Sequence, residues 1–207
     1  LTILLTYTLT PDNALDIKYE ATTDKATPVN LSNHAFYNLR GSKGGTILDH
    51  ILTIPASGIT PVDQYLIPIG EIMPVEGTPF DFREPHAIGE RVGAAHQQLA
   101  FGGGYDHNWV LDTPADGQLH KVCELSEPES GRVMEVYSDQ PGLQFYCGNF
   151  FDGSYAGKKG QIIGYREALA LETQKFPDAV HHPSFPNTIL RPGETYTQHT
   201  VYKFSAR

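Results

Sequence analysis

The chain has 207 residues, 40% of them apolar and 19% charged, which is enough to bury a substantial core and too apolar for a disordered chain. Its formal net charge of −9, with 15 Lys and Arg scattered along the sequence, lacks the basic footprint of a nucleic-acid binder, and no stretch reaches the roughly 18 apolar residues of a membrane-spanning helix. The 20 glycines and 15 prolines predict many turns, and no Gly- and Pro-free stretch of a dozen residues has a 3.6-residue apolar period, so the chain reads as mostly β.

Residues 1–10 alternate, PDN at 11–13 is a turn, and ALDIKYEATT alternates again, predicting an antiparallel hairpin with Leu15, Ile17 and Tyr19 on one face. TPVNLSNHAFYNL reads as a strand, GSKGG as a loop, ILDHILTIPA as a strand, and VDQYLIPIGEIMPV as two short strands split by Pro68 and Gly70. The one helix expected lies near 86–99. HNWVLD, HKVCELSEP, RVMEVYSD, LQFYCGNF, ALALET and ETYTQHTVYKFS follow as strands. Their spacing predicts one all-β domain over 1–207, an antiparallel sandwich or barrel rather than a parallel α/β sheet. Cys123 and Cys147 match no metal-ligand spacing and read as reduced core thiols. The chain starts at Leu1 in the middle of an alternating pattern, so it is expected to be a piece of a longer protein. Its localisation is then open, with the cytoplasm favoured.

Four stretches carry polar residues that a sandwich does not need. In NLSNHAFYNLRG, residues 30–41, His34 stands between Asn33 and two aromatics; taken alone, it reads as a satisfied core or rim histidine ahead of a functional one. In FGGGYDHNWVL, residues 101–111, three glycines precede Asp106, His107 and Asn108, which reads either as close backbone approach to a ligand or as a Gly-rich turn. In PGLQFYCGNFFDG, residues 141–153, Gln144 shares a strand with Phe145 and Tyr146. An amide beside aromatic rings suits sugar recognition, although an exposed edge strand has the same composition. In ALALETQKFPDA, residues 168–179, Ala168, Ala170 and Glu172 fall on one strand face and Leu169 and Leu171 on the other. A carboxylate on a small-residue face leaves room for a ligand; a strand-end salt bridge is the ordinary alternative.

Together these stretches supply one carboxylate, one imidazole and several hydrogen-bonding groups, the minimum for paired general acid and base catalysis on a neutral polyol. No nucleophile elbow, phosphate loop or dinucleotide fingerprint accompanies them. A metal site from His34, Asp106, His107 and the pair His181 and His182 lacks a recognised ligand spacing. That histidine pair and the KKG at 158–160 read as surface loop.

TPVNLSNHAFYNLRG, GGYDHNWVL, PGLQFYCGNFFDG and ALETQKFPDAVHHPSFPNTILRPGETYTQHTVYKF, in this order and at these separations, resemble the aldose 1-epimerases, or galactose mutarotases, from the first hairpin to Phe204. The resemblance implies a large antiparallel β-sandwich of the mutarotase type, lacking its N-terminal strands, that interconverts the α and β anomers of free hexoses without a metal or organic cofactor. It implies that Glu172 is the general base and His34 the general acid, that Asp106 and Gln144 hold sugar hydroxyls, and that Ala35 and Phe36 help line the pocket.

The chain departs from the family in one respect. Family members are usually longer, and their N-terminal region carries an arginine and, in a Leu-His-Gly-Gly-like stretch, a second histidine; neither is found here, and His50, His86, His96 and His120 lack the flanking glycines. Missing strands are expected to leave unpaired edges, completed by a companion fragment or by a second copy in a homodimer. Two other readings stay open: a non-catalytic carbohydrate-binding module of this fold, and a hexose-6-phosphate 1-epimerase, which calls for an arginine cluster that dispersed Arg40, Arg83, Arg91 and Arg166 supply only if folding gathers them.

Overall fold

The structure, a computed structural model, describes residues 1–41, 44–157 and 160–207; parts of the GSKGG and KKG stretches lie outside the described residues. Strands β1 (Thr2–Leu9) and β2 (Ala14–Thr22) form the expected hairpin, with Asn13 closing the turn at a left-handed φ of 63° that Asn tolerates. The segment TPVNLSNHAFYNL departs from the strand expected of it. Only β3 (Thr27–Pro28) and a single bridge at Tyr37 pair there, because its polar side chains bond to distant backbone: Asn30 to Lys175 O, Ser32 to Thr173 O and Asn38 to Glu167 O.

Pro55 divides the next predicted strand into β4 (Ile51–Thr53) and β5 (Ala56–Thr60), which enter different sheets. Of the two short strands expected after it, β6 (Met73–Pro74) forms, while the first is reduced to a bridge between Val62 and Pro68. The expected helix near 86–99 is also corrected. It divides into β7 (His86–Ala87), α1 (Ile88–Arg91) and α2 (Gln97–Gly102), since Gly89 and Gly93 weaken a continuous helix; the His96 side chain caps α2 by accepting the Gln98 N–H at 3.2 Å. Then follow β8 (Asp106–Leu111), β9 (His120–Ser126), β10 (Arg132–Ser138), β11 (Gly142–Tyr146), β12 (Tyr155–Ala156), β13 (Ile162–Ile163), β14 (Ala170–Gln174), β15 (Ile189–Leu190) and β16 (Tyr196–Ala206).

These strands build a seven-stranded sheet, β1-β2-β16-β10-β9-β4-β7, and a five-stranded sheet, β14-β11-β8-β5-β6, with antiparallel pairing throughout both. Their inner faces share one apolar cluster, so the predicted all-β sandwich is what forms. Its centre is aromatic: Phe80, Phe82, Tyr105, Trp109 and Phe145 are fully buried, Tyr105 stacks on Phe145 at 5.4 Å, and the Trp109 indole N–H donates to Phe80 O at 3.0 Å, which satisfies its polar end. Cys123 and Cys147 are free and buried, as expected.

The hairpin shows the sandwich thinning at one side. Ile3, Leu5, Tyr7 and Leu9 pair in register with Ala21, Tyr19, Ile17 and Leu15, so β1 continues the apolar face of β2, yet every residue of β1 is exposed. Its outer edge has no partner among the described residues. Among the described residues no helix is long and apolar enough to cross a membrane.

Candidate active site

Strand β14 holds Glu172 between two clamped peptide groups. Leu171 O accepts from the Tyr202 hydroxyl at 2.8 Å, and Thr173 O accepts from Gln198 Nε2 at 2.8 Å and Ser32 Oγ at 3.0 Å. Tyr202 and Gln198 lie on β16 of the opposite sheet, so Glu172 is braced from behind while its own side chain turns the other way. Rigid backing of this kind keeps a reactive group in one place.

His34 reaches Glu172 from the neighbouring segment. Tyr37 and Leu169 exchange backbone hydrogen bonds of 2.8 and 3.0 Å as a single bridge, which brings the two segments side by side with His34 and Glu172 three residues from it. His34 Nε2 and Glu172 Oε1 are 3.3 Å apart. From Glu172 a row runs across the five-stranded sheet, because Glu172 pairs with Gln144, Gln144 with Asn108, and Asn108 with Thr60. One residue row further, Ala170 pairs with Tyr146 and Tyr146 with Asp106. Gln144 Nε2 donates to Asp106 Oδ1 at 2.9 Å across the two rows.

His34, Phe36, Asp106, Gln144 and Glu172 thus line one cavity of about 700 Å3, within the range of small-molecule sites. Ala35 does not. An extended chain alternates its side chains, and between outward His34 and Phe36 it is the Ala35 N–H that is used, donating to Asn33 Oδ1 at 3.2 Å. Of the small residues beside Glu172, Ala170 is buried and pairs with Tyr146 across the strands, and the rings of Phe36 and Tyr146 come within 6.3 Å of each other.

The electrostatics separate the polar groups. Burial raises the Glu172 carboxyl from 4.5 to about 7; nearby His34 pulls it down and Asp106 pushes it up. The carboxyl is therefore held well above the ordinary carboxylate range, close to neutral pH, the range that suits a general base. Burial likewise raises Asp106, with the Gln144 hydrogen bond opposing. His107, next in sequence, is fully buried and its pKa falls to about 3. Its Nδ1 accepts the Asp106 N–H and its Nε2 faces Gln98 Oε1 at 3.2 Å, so it stays neutral and serves as a support.

Thr60 had no signal in the sequence, and Asn108 was noted only as part of the Gly-rich stretch. Among the described residues neither Thr60 Oγ1 nor Asn108 Nδ2, both buried, has a hydrogen-bond partner, and both residues line the cavity. Asn108 fits because its neighbour is Gly142, where a Cβ would lie 2.5 Å from Asn108 Oδ1. His182, read as surface loop, donates through Nε2 to Pro68 O at 3.0 Å, and its ring packs where a side chain on Gly70 would fall; it props the loop whose Leu66 and Pro68 line the cavity. His181 is bound to Asp178. Among the described residues no three His, Cys, Asp or Glu side chains gather as a metal site.

Comparison with known proteins places the chain in a family. The aldose 1-epimerase family model matches residues 1–203. The chain is 44% identical over 205 residues to galactose mutarotase of Homo sapiens, covering 99% of this chain and 58% of the relative. It is 38% identical over 202 residues to aldose 1-epimerase of Escherichia coli strain K12, covering 97% and 57%. Among solved structures, a GalM/aldose epimerase homologue from C. elegans superimposes with a TM-score of 0.86 at 32% identity, over 98% of this chain and 59% of that one. A galactose 1-epimerase from Lactobacillus acidophilus superimposes with a TM-score of 0.84 at 28% identity, over 99% and 57%. This chain therefore spans somewhat under three fifths of the length of these relatives, and by family match, sequence and fold it belongs to the aldose 1-epimerases.

Proposed function

We propose that this chain carries the acid–base centre of a mutarotase acting on free hexoses such as glucose and galactose. The observation that carries the reading is the contact between His34 Nε2 and Glu172 Oε1, 3.3 Å apart in one cavity. A cyclic hemiacetal has its hydroxyl and its ring oxygen on the same carbon, so an acid and a base that open it must lie within a few ångströms of each other, as these do. Glu172, in its ionised form, takes the proton of the C1 hydroxyl while protonated His34 gives one to the ring oxygen. The C1–ring oxygen bond breaks and an aldehyde forms. Rotation about C1–C2 turns the other carbonyl face toward the ring-forming hydroxyl, and the two groups, with protonation states exchanged, close the ring to the opposite anomer.

Asp106 and Gln144, tied to each other by a hydrogen bond, hold hydroxyls further along the ring. The hexose-6-phosphate reading finds less support. Among the described residues lining the cavity there is no Lys or Arg, and Arg40, Arg83, Arg91 and Arg166 each bond elsewhere, to Glu127, Asp81, Asp81 O and Gly103 O respectively. Against a purely binding module stands the raised Glu172 carboxyl, since hydroxyl recognition alone does not call for a buried base of this kind.

The test is polarimetry or proton NMR of freshly dissolved α-D-glucose and α-D-galactose with this chain. Equilibration well above the buffer rate is expected. Equilibration at the buffer rate, with sugar binding retained, would establish the binding-module reading in its place.

A further inference from the structure

We propose that the aromatic wall leading away from His34 is a second subsite, which takes a glycosyl group carried on O6 of the hexose. The proposal rests on the acid–base assignment above and extends its substrate class from free hexoses to reducing disaccharides linked through O6. In a pyranose the ring oxygen bridges C1 and C5, and C5 bears the C6 arm. With Glu172 at the C1 hydroxyl and His34 at the ring oxygen, the C6 arm leaves along the flank of His34 beyond the ring oxygen. Phe36 occupies such a flank, its ring 5.0 Å from that of His34.

From Phe36 the rings continue without a break. Phe36 meets Phe151 at 5.0 Å and Tyr146 at 6.3 Å, Phe151 meets Tyr155 at 6.5 Å, and Tyr146 stacks on Phe150 at 6.0 Å with planes 19° apart. All five belong to the same cavity as the acid–base pair. Phe150 and Tyr155 are 57% and 61% exposed, an apolar surface left open at the mouth of a site, which is the usual mark of a ligand surface. Flat aromatic faces suit the C–H faces of a pyranose.

The wall is fixed in advance of binding. The Phe150 N–H donates to the Tyr146 hydroxyl at 2.8 Å, and the Asn149 side chain donates to Gly102 O and Tyr105 O at 3.1 and 2.9 Å, so little ordering remains to oppose association. The described lining residues include no Lys or Arg, which favours a neutral sugar over a phosphate at this position.

The experiment follows mutarotation of isomaltose and melibiose, both linked through O6, beside glucose, galactose and the 4-linked maltose, with this chain and its Phe150→Ala and Tyr155→Ala variants. Each variant is expected to raise KM for the O6-linked sugars roughly tenfold, with free hexoses and maltose changed less than twofold. Saturation-transfer NMR on the same proteins is expected to place both rings of isomaltose in contact with the chain, and to lose the non-reducing ring in Tyr155→Ala. Equal losses on all sugars, or saturation confined to the reducing ring in the unmodified chain, overturns the subsite. Absence of accelerated equilibration with free hexoses strikes the catalytic reading alone, and the NMR contacts then still decide the subsite.

Discussion

Glu172 and Glu127 are both buried glutamates, 8% and 0% exposed, and their surroundings treat the same carboxyl in opposite ways. Burial works against the charge of Glu127, but the Ser130 and Glu129 N–H groups at 2.6 and 3.0 Å and Arg40 Nε at 3.1 Å overcome it and bring its pKa down to about 2. Among the described residues Glu172 has the exposed His34 beside it at 3.3 Å and no backbone N–H donating to it; burial raises its pKa to about 7. A carboxylate whose lone pairs are filled is a structural post, whereas one with capacity left over can take up a proton. The Arg40 to Glu127 pair fastens the loop after β9 to the segment just beyond His34; the His34 to Glu172 pair is left for a ligand to part.

The sharpest way to break this contrast is Glu172→Gln, which keeps shape and removes the proposed base. Anomer exchange, followed by NMR, is expected to fall about 10²- to 10⁴-fold while the fold survives; an unchanged rate would leave Glu172 as no more than another post. Next comes Glu127→Ala, which strands Arg40 and two backbone N–H groups. Because Arg40 keeps Asp49 at 3.1 Å, the loss belongs at the lower end for broken buried pairs, about 3 kcal/mol in urea denaturation.

A third expectation concerns stability and pH. The folded state binds the Glu172 proton more tightly than the unfolded chain does, so this group's contribution to stability is intact below about 4.5 and is lost as pH rises toward about 7. Glu172→Gln removes that loss and should melt later than the unmodified chain at pH 8, by on the order of 2–3 kcal/mol, with little difference near pH 4. Glu127 has the opposite sign. Its contribution is present above about 4.5 and disappears as pH falls toward about 2, so Glu127→Ala lowers the stability curve at neutral pH and flattens its acid limb without changing its slope near neutrality. The smallest effect is kinetic: kcat/KM for glucose should decline with a single protonation as pH falls through about 7, and this limb should vanish with Glu172.

How far the sequence discloses such things depends on the distance over which the information is stored. The first hairpin was legible because its alternation and its PDN turn are local. Glu172 stood out because a carboxylate on an otherwise apolar strand breaks a period-two pattern, and His34, Asp106 and Gln144 through the family resemblance. The helix near 86–99 was misread because its Gly residues outweighed the surrounding helix formers, and the strand around His34 because its Asn and Ser side chains bond to backbone 129 to 145 residues away. Glu127 was invisible for the same reason. Its Arg40 partner lies 87 residues distant, and nothing in EPES announces a buried charge. Thr60 likewise joins the site only through its cross-strand pairing with Asn108.

Strand β1 has a consequence of its own. It is held by its ladder to β2 and leaves Ile3, Leu5 and Tyr7 about half exposed, so its opening is resisted more by hydrogen bonds than by apolar burial. Its amide protons should be among the first to trade for deuterium, well before those of β10 or β16. Any surface that came to rest on Ile3, Leu5 and Tyr7 would slow that trade, making the exchange rate of one strand a gauge of whether the sandwich has found its cover.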